Sequence, residues 1–150
     1  MVSCNTSFSQ TSGLTLPRFA SIRSDKVNIR TGPGFRYPIK WIYQRRNMPI
    51  EIIAEFETWR KVKDWQSTLG WVHQSMLSAN RTLIVINSPQ IIRKNDAAKS
   101  AALAEANPGV IGKIESCKHD NAWCYVTIKE YSGWLRRTQM WGVYPAEAIE

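Results

Sequence analysis

Long apolar runs are missing from this 150-residue chain: no uninterrupted apolar stretch exceeds a handful of residues, so the sequence holds no transmembrane helix of roughly 20 residues. Histidine is scarce. The two present, His73 and His119, lie in different halves without a neighbouring nucleophile, and spacing does not pair the scattered carboxylates, so no catalysis and no cofactor are expected. Eight Gly and seven Pro fall singly rather than in tracts, which excludes collagen-like and low-complexity material. Gly32-Pro33-Gly34 is not followed by Gly-Lys-Ser/Thr, so it is a turn and not a phosphate loop. The opening Met1 to Leu16 has neither an apolar core nor a basic start and does not read as a signal peptide. Residues 1–17 are expected to be a disordered polar tail, either of a cytosolic protein or of a mature chain whose export signal is not in the sequence.

What is present suits a folded protein: 43% apolar residues and seven Trp. The formal charge of +8 is uneven, with eleven Lys or Arg against five acids in residues 18–78 and nine against seven in 79–150. Such a field favours anionic partners, whether nucleic acid, acidic lipid or acidic cell-wall polymer, without selecting among them. Cys117 and Cys124 flank the turn-like Lys118-His119-Asp120-Asn121, so a hairpin could join them in a disulfide contributing roughly 2 to 3 kcal/mol. That would imply an oxidising compartment; two reduced thiols in a cytosolic strand pair are the alternative. A zinc site with His119 lacks a fourth ligand and the usual paired spacing. Cys4 is left over.

The sequence repeats itself. Ile29-Arg30, Trp59, Val62 and Gly70-Trp71 recur as Ile92-Arg93, Trp123, Val126 and Gly133-Trp134, at offsets of 63 or 64. In the first copy Val27–Arg30, Ile39–Tyr43, Ile50–Phe56, Trp59–Trp65 and Leu69–His73 are short β-branched or aromatic runs between polar punctuation, five strands for a small barrel. Trp59 and Val62 fall on opposite faces, so one of them should face the surface unless a bulge intervenes. The second copy shows Val110–Cys117, Trp123–Ile128 and Tyr131–Leu135. Its residues 96–107, with six Ala, favour helix by propensity, but their place in the repeat predicts loop and strand.

Asn28-Ile-Arg30-Thr-Gly32-Pro-Gly34, followed by Trp59-Arg-Lys-Val62 and Gly70-Trp71-Val72, resembles the bacterial SH3-like domain. The span from Tyr37-Pro-Ile-Lys-Trp41 through Gly70-Trp71-Val72-His73-Gln74, with a terminal Trp141-Gly142-Val143-Tyr144-Pro145, is similar to a proteobacterial branch with two such domains that is usually exported. The resemblance implies an all-β fold of two tandem SH3-like, five-stranded barrels, a non-catalytic role, and the binding of cell-wall peptides or partner proteins. The divisions expected are a domain at 18–78, a linker at 79–81, and a divergent domain with a C-terminal extension at 82–150, in which Arg93-Lys-Asn-Asp96 replaces the Gly-Pro-Gly turn.

Phe35, Tyr37 and Trp41 interleave with Arg30, Lys40, Arg45 and Arg46, the composition of a groove that stacks a flat group while a guanidinium holds a carboxylate. The resemblance implies that Trp59 lies near that groove; Trp65, beside Asp64 and Gln66 in a turn, is expected to be the most exposed Trp, and Trp71 and Trp134 to be structural. The candidate ligand-binding set is therefore Arg30, Phe35, Tyr37, Trp41, Trp59 and Trp65. The expected function is a periplasmic or cell-envelope module that binds a peptide, from peptidoglycan or from a partner protein. Two alternatives remain: single-stranded nucleic-acid binding by a basic aromatic surface, and a purely structural self-association module.

Overall fold

The computed structural model describes residues 12–150. The tail at 1–11, with Cys4, lies outside the described residues. The first half forms β1 (Arg18–Ile22), β2 (Val27–Arg30), β3 (Ile39–Tyr43), β4 (Pro49–Phe56), β5 (Trp59–Lys63) and β6 (Leu69–His73), then a single 3-10 turn, Gln74–Met76, and β7 (Leu77–Ser78). The second half repeats the series as β8 (Thr82–Val85), β9 (Gln90–Arg93), β10 (Ala102–Ala106), β11 (Ile111–Cys117), β12 (Trp123–Ile128), β13 (Tyr131–Arg136), a 3-10 turn Arg137–Gln139, and β14 (Met140–Trp141). The strand orders, β3-β2-β6-β5-β4-β1-β7 and β10-β9-β13-β12-β11-β8-β14, are the same permutation. The fold is all-β, two tandem SH3-like barrels.

The five runs read from the first copy are β2 to β6. The structure adds β1, which pairs with β4, and the two-residue β7, which pairs with β1. No alternation marks β1 because both of its faces are covered: Ala20 and Ile22 enter the first core, while Phe19 meets Trp141 and Ser21 Oγ donates to the Asn80 carbonyl. Each barrel has its own core, one around Ile22, Ile29, Ile50 and Val72, the other around Leu83, Ile92, Val126 and Leu135.

The repeat follows from packing. The Gly before each late Trp is needed where β6 and β13 cross the preceding Ile-Arg pair: a Cβ on Gly70 would sit 2.1 Å from Ile29 Cγ2, and one on Gly133 2.6 Å from the Arg93 carbonyl and 2.7 Å from Ile92 Cγ2. The Ala-rich segment is a loop followed by β10, an edge strand on β9, so tertiary pairing overrides helix propensity. Its loop also keeps the backbone bonds of the first one. Thr31 N to Pro38 O and Tyr37 N to Gly34 O become Lys94 N to Ala101 O and Ser100 N to Ala97 O. The turn is thus retained at Arg93-Lys-Asn-Asp96 without Gly-Pro-Gly.

Two expectations need correction. Trp65 is half-buried against the first core rather than the most exposed Trp, because the Asp64 carboxylate accepts from the Gln66 and Thr68 amides and folds the turn back. Residues 12–17 are ordered: Leu16 packs on the first core, and the amide and hydroxyl of Ser12 both donate to the Glu55 carboxylate. Glu55 is fully buried between Ser12, Arg18 (2.7 Å) and Arg60 (3.8 Å). Burial pushes its carboxyl up, but the bonds from Ser12 and Arg18 and the charge of Arg60 outweigh it and hold the group at about 2.

The barrels are in contact. Phe19 lies 5.0 Å from Trp141 and 4.5 Å from Tyr144 between ring centroids, with the Arg81 guanidinium over its face. Arg81 grips Glu147 through two 2.7 Å bonds. Ile111 of the second barrel packs against the core of the first. Tyr144 Oη donates to Glu51 Oε2 at 2.7 Å, and its hydroxyl pKa is raised by burial and by that carboxylate.

Candidate functional site

The loop between β2 and β3 carries the site. Gly32 is buried against the Tyr37 ring, where a Cβ would come within 2.5 Å of it, so this position must stay Gly for the loop to close. Arg30, at the end of β2, fastens the loop from below: its Nη1 donates to the carbonyls of Phe35 (3.1 Å) and Tyr37 (2.9 Å). So held, Phe35 stands 71% exposed above a ring platform. Its centroid is 4.9 Å from Trp59 at 75° and 5.9 Å from His73 at 19°, and the Arg30 guanidinium lies 5.4 Å from its face.

Trp59 and His73 are opposite each other on β5 and β6, 5.4 Å apart and perpendicular. Val62 enters the barrel core and Trp59 faces outward, as their spacing requires, yet Trp59 is buried because Phe35 and His73 cover it. His73 Nδ1 accepts from the Ser75 amide at 3.2 Å and lies 2.7 Å from Ser75 Oγ, which together orient the imidazole. These groups, with Lys26, Asn28, Ser75 and Met76, line a pocket of about 220 Å³ that contains two cations and no carboxylate.

Of the six residues singled out from sequence, the fold brings together Arg30, Phe35 and Trp59. Tyr37 supports the loop from behind, with the Arg36 guanidinium 5.0 Å from its ring. Trp41 does not line the pocket: it is 51% exposed on the edge strand β3, beside Ile39 and Ile42. Trp65 packs on the core. Trp71 is buried, and Trp134 is half-buried against Tyr125. Sequence reading missed His73, whose part depends on register with Trp59; the only local signal was Ser75 two residues later.

The second barrel keeps the frame and loses the rings. Arg93 Nη1 donates to the Ser100 carbonyl at 2.8 Å, as Arg30 does to that of Tyr37. Trp123 faces Arg136, whose guanidinium lies 4.8 Å from the indole face, where Trp59 faces His73. Ala98 stands where the first loop has Phe35. Cys117 and Cys124 are bonded to each other, so neither thiolate is available to a metal, and His119 pairs with Asp120 at 3.0 Å. Among the described residues no group of three His, Cys, Asp or Glu could hold a metal ion.

No curated protein is significantly similar to the chain. Two solved structures from Trichomonas vaginalis match the chain weakly. NlpC1 is 10% identical with a TM-score of 0.36 and matches 94% of this chain; NlpC2 is 7% identical with a TM-score of 0.38 and matches 85%. The chain spans about half the length of either, 50% and 48% respectively. Likeness at this level carries no argument about activity. The family model described as "Bacterial SH3 domain" matches residues 23–79 and again 87–142, one copy in each barrel. The chain belongs to the bacterial SH3 domain family.

Proposed function

We propose that the protein is a non-catalytic binding module of the bacterial cell envelope, and that its first barrel holds a peptide, either the stem of peptidoglycan or a stretch of a partner protein. The observation that carries this reading is Phe35, an exposed ring fixed by Arg30 over the Trp59–His73 platform. A ligand that covers this exposed ring removes its apolar area from water. The pocket, at about 220 Å³, lies below the roughly 300–1,000 Å³ of typical small-molecule sites, which suits one residue of a longer ligand. Lys26 and Arg30 offer a carboxylate its counter-charge.

The Cys117–Cys124 bond supports export to an oxidising compartment such as a periplasm. The second barrel, with Ala98 for the exposed ring, serves as a structural partner in this reading. Retention on purified peptidoglycan tests it, comparing the intact chain with a Phe35→Ala, Lys26→Ala double variant. Both side chains are exposed, so the variant should fold. Loss of retention is expected, and equal retention would remove the pocket from the account.

A further inference from the structure

A second feature lies between the barrels and owes nothing to the aromatic pocket. The β3–β4 turn of the first barrel and its repeat-mate, the β10–β11 turn of the second, meet across a cleft. Their equivalence is visible in the backbone. Met48 N to Arg45 O (3.3 Å) corresponds to Val110 N to Asn107 O (3.2 Å), and Asn47 N to Ile22 O (2.8 Å) to Gly109 N to Val85 O (2.8 Å). Asn47 and Gly109 both hold positive φ, 68° and 89°. Only the first turn is charged: it carries Arg45 and Arg46, where the second carries Asn107 and Pro108.

The cleft continues past Lys129 to Lys113, in two connected lobes of about 730 and 450 Å³ that share Asn47, Ile111 and Lys129. Four cations line it and no carboxylate does. Among the described residues Arg45 and Lys129 have no ion pair. Arg46 pairs with Asp25 (3.2 Å) at an exposed position, a bond that an incoming anion exchanges at little cost, and Lys113 pairs with the half-buried Glu115 (3.4 Å), which also accepts from Thr127 Oγ1. Thr82, nine-tenths buried, also lines the cleft, and its Oγ1 has no hydrogen-bond partner among the described residues. Like charges are brought together across a domain boundary, and a buried hydroxyl is left unpaired beside them.

We propose that this inter-barrel cleft is a second binding site, for a flexible polyanion that carries phosphate groups and no aromatic rings. The four cations call for an oxygen-rich anion, and adjacent Arg45 and Arg46 offer forked donors suited to phosphate. The length of the cleft suits a chain rather than a single ion. The lining contains no Trp, Tyr, Phe or His, so nothing there would stack a nucleobase, which separates this ligand from single-stranded nucleic acid.

The test is titration of the intact chain with inorganic polyphosphate, polyglutamate of matched length and oligo-dT, over a range of salt. The variants are Arg45→Gln, Lys129→Asn together, and Phe35→Ala alone. Asn is chosen at 129 because Lys129 has φ 55°, which Asn tolerates. Expected are salt-sensitive binding of polyphosphate ahead of the other two polymers, weakening by about tenfold or more in the double variant, and no change in Phe35→Ala. Absence of polyphosphate binding, an unchanged double variant, or equal binding of polyglutamate would overturn the proposal. Tighter binding of oligo-dT would overturn it in favour of nucleic acid. Since Phe35→Ala leaves this cleft intact, its result separates failure here from failure of the peptide pocket.

Discussion

Replacing Glu55 with Gln should unfasten the first barrel, and the size of the effect follows from the site. The carboxylate is fully buried, receives the amide and hydroxyl of Ser12 and one Nη of Arg18, and lies 3.8 Å from Arg60. Its pKa falls from an ordinary 4.5 to about 2. A depressed carboxyl pKa means that the folded state binds the proton less readily than the unfolded chain. The stabilisation is therefore complete above about pH 4.5 and is lost as pH falls towards 2. The shift corresponds to about 3 kcal/mol. The amide removes the charge but leaves Arg60 buried, so the variant should lose a similar amount at neutral pH. Urea unfolding of both proteins at pH 7 and pH 3 reads this directly. The wild type should weaken markedly at pH 3, and the gap between the two should shrink. Glu147, held low by Arg81 against the opposing push of burial, adds an acid-sensitive contribution common to both and cancels in the comparison. Equal stability at pH 7, or an identical pH dependence in the two proteins, would refute the reasoning.

Three further outcomes are expected. Gly133→Ala forces a methyl against the Arg93 carbonyl at 2.6 Å, a backbone atom that cannot swing aside; it should cost about 1 to 3 kcal/mol, and an unchanged thermal midpoint would contradict the repeat's packing rationale. Removing the Cys117–Cys124 bond by double alanine substitution should cost about 2 to 3 kcal/mol through the freer unfolded chain. Protein from its native host, denatured without reductant, should show one titratable thiol of three, and three would contradict the bond.

Much of this architecture was legible in the chain because its signals are local. Ile29-Arg30, Gly70-Trp71 and their counterparts sit where strands cross too closely for a side chain, so the same residue types had to recur. The Ala-rich stretch 96–107 was read as loop and strand only through that recurrence, its own propensity pointing elsewhere. Other features depend on partners far along the chain. Strand β1 carries no alternation because the second barrel covers its other face, and Trp65 looks like a turn residue until Asp64 ties the turn inward. Three of the eight residues lining the candidate pocket were similarly visible. Arg30, Phe35 and Trp59 could be chosen by type and order, whereas His73 joins them through register and Trp41 leaves them at the sheet edge. The inter-barrel cleft is a product of domain packing alone: Arg45 and Arg46 belong to the cation-rich first half, whereas Lys113 and Lys129 come from the second, where cations barely outnumber acids.

Peptide binding at the ring platform of the first barrel is read by tryptophan fluorescence of the intact chain titrated with soluble stem peptides released from peptidoglycan, beside Phe35→Ala and the matching position of the second barrel, Ala98→Ser. The account predicts a saturable change that disappears in Phe35→Ala and persists in Ala98→Ser. A response that survives loss of Phe35 would contradict it.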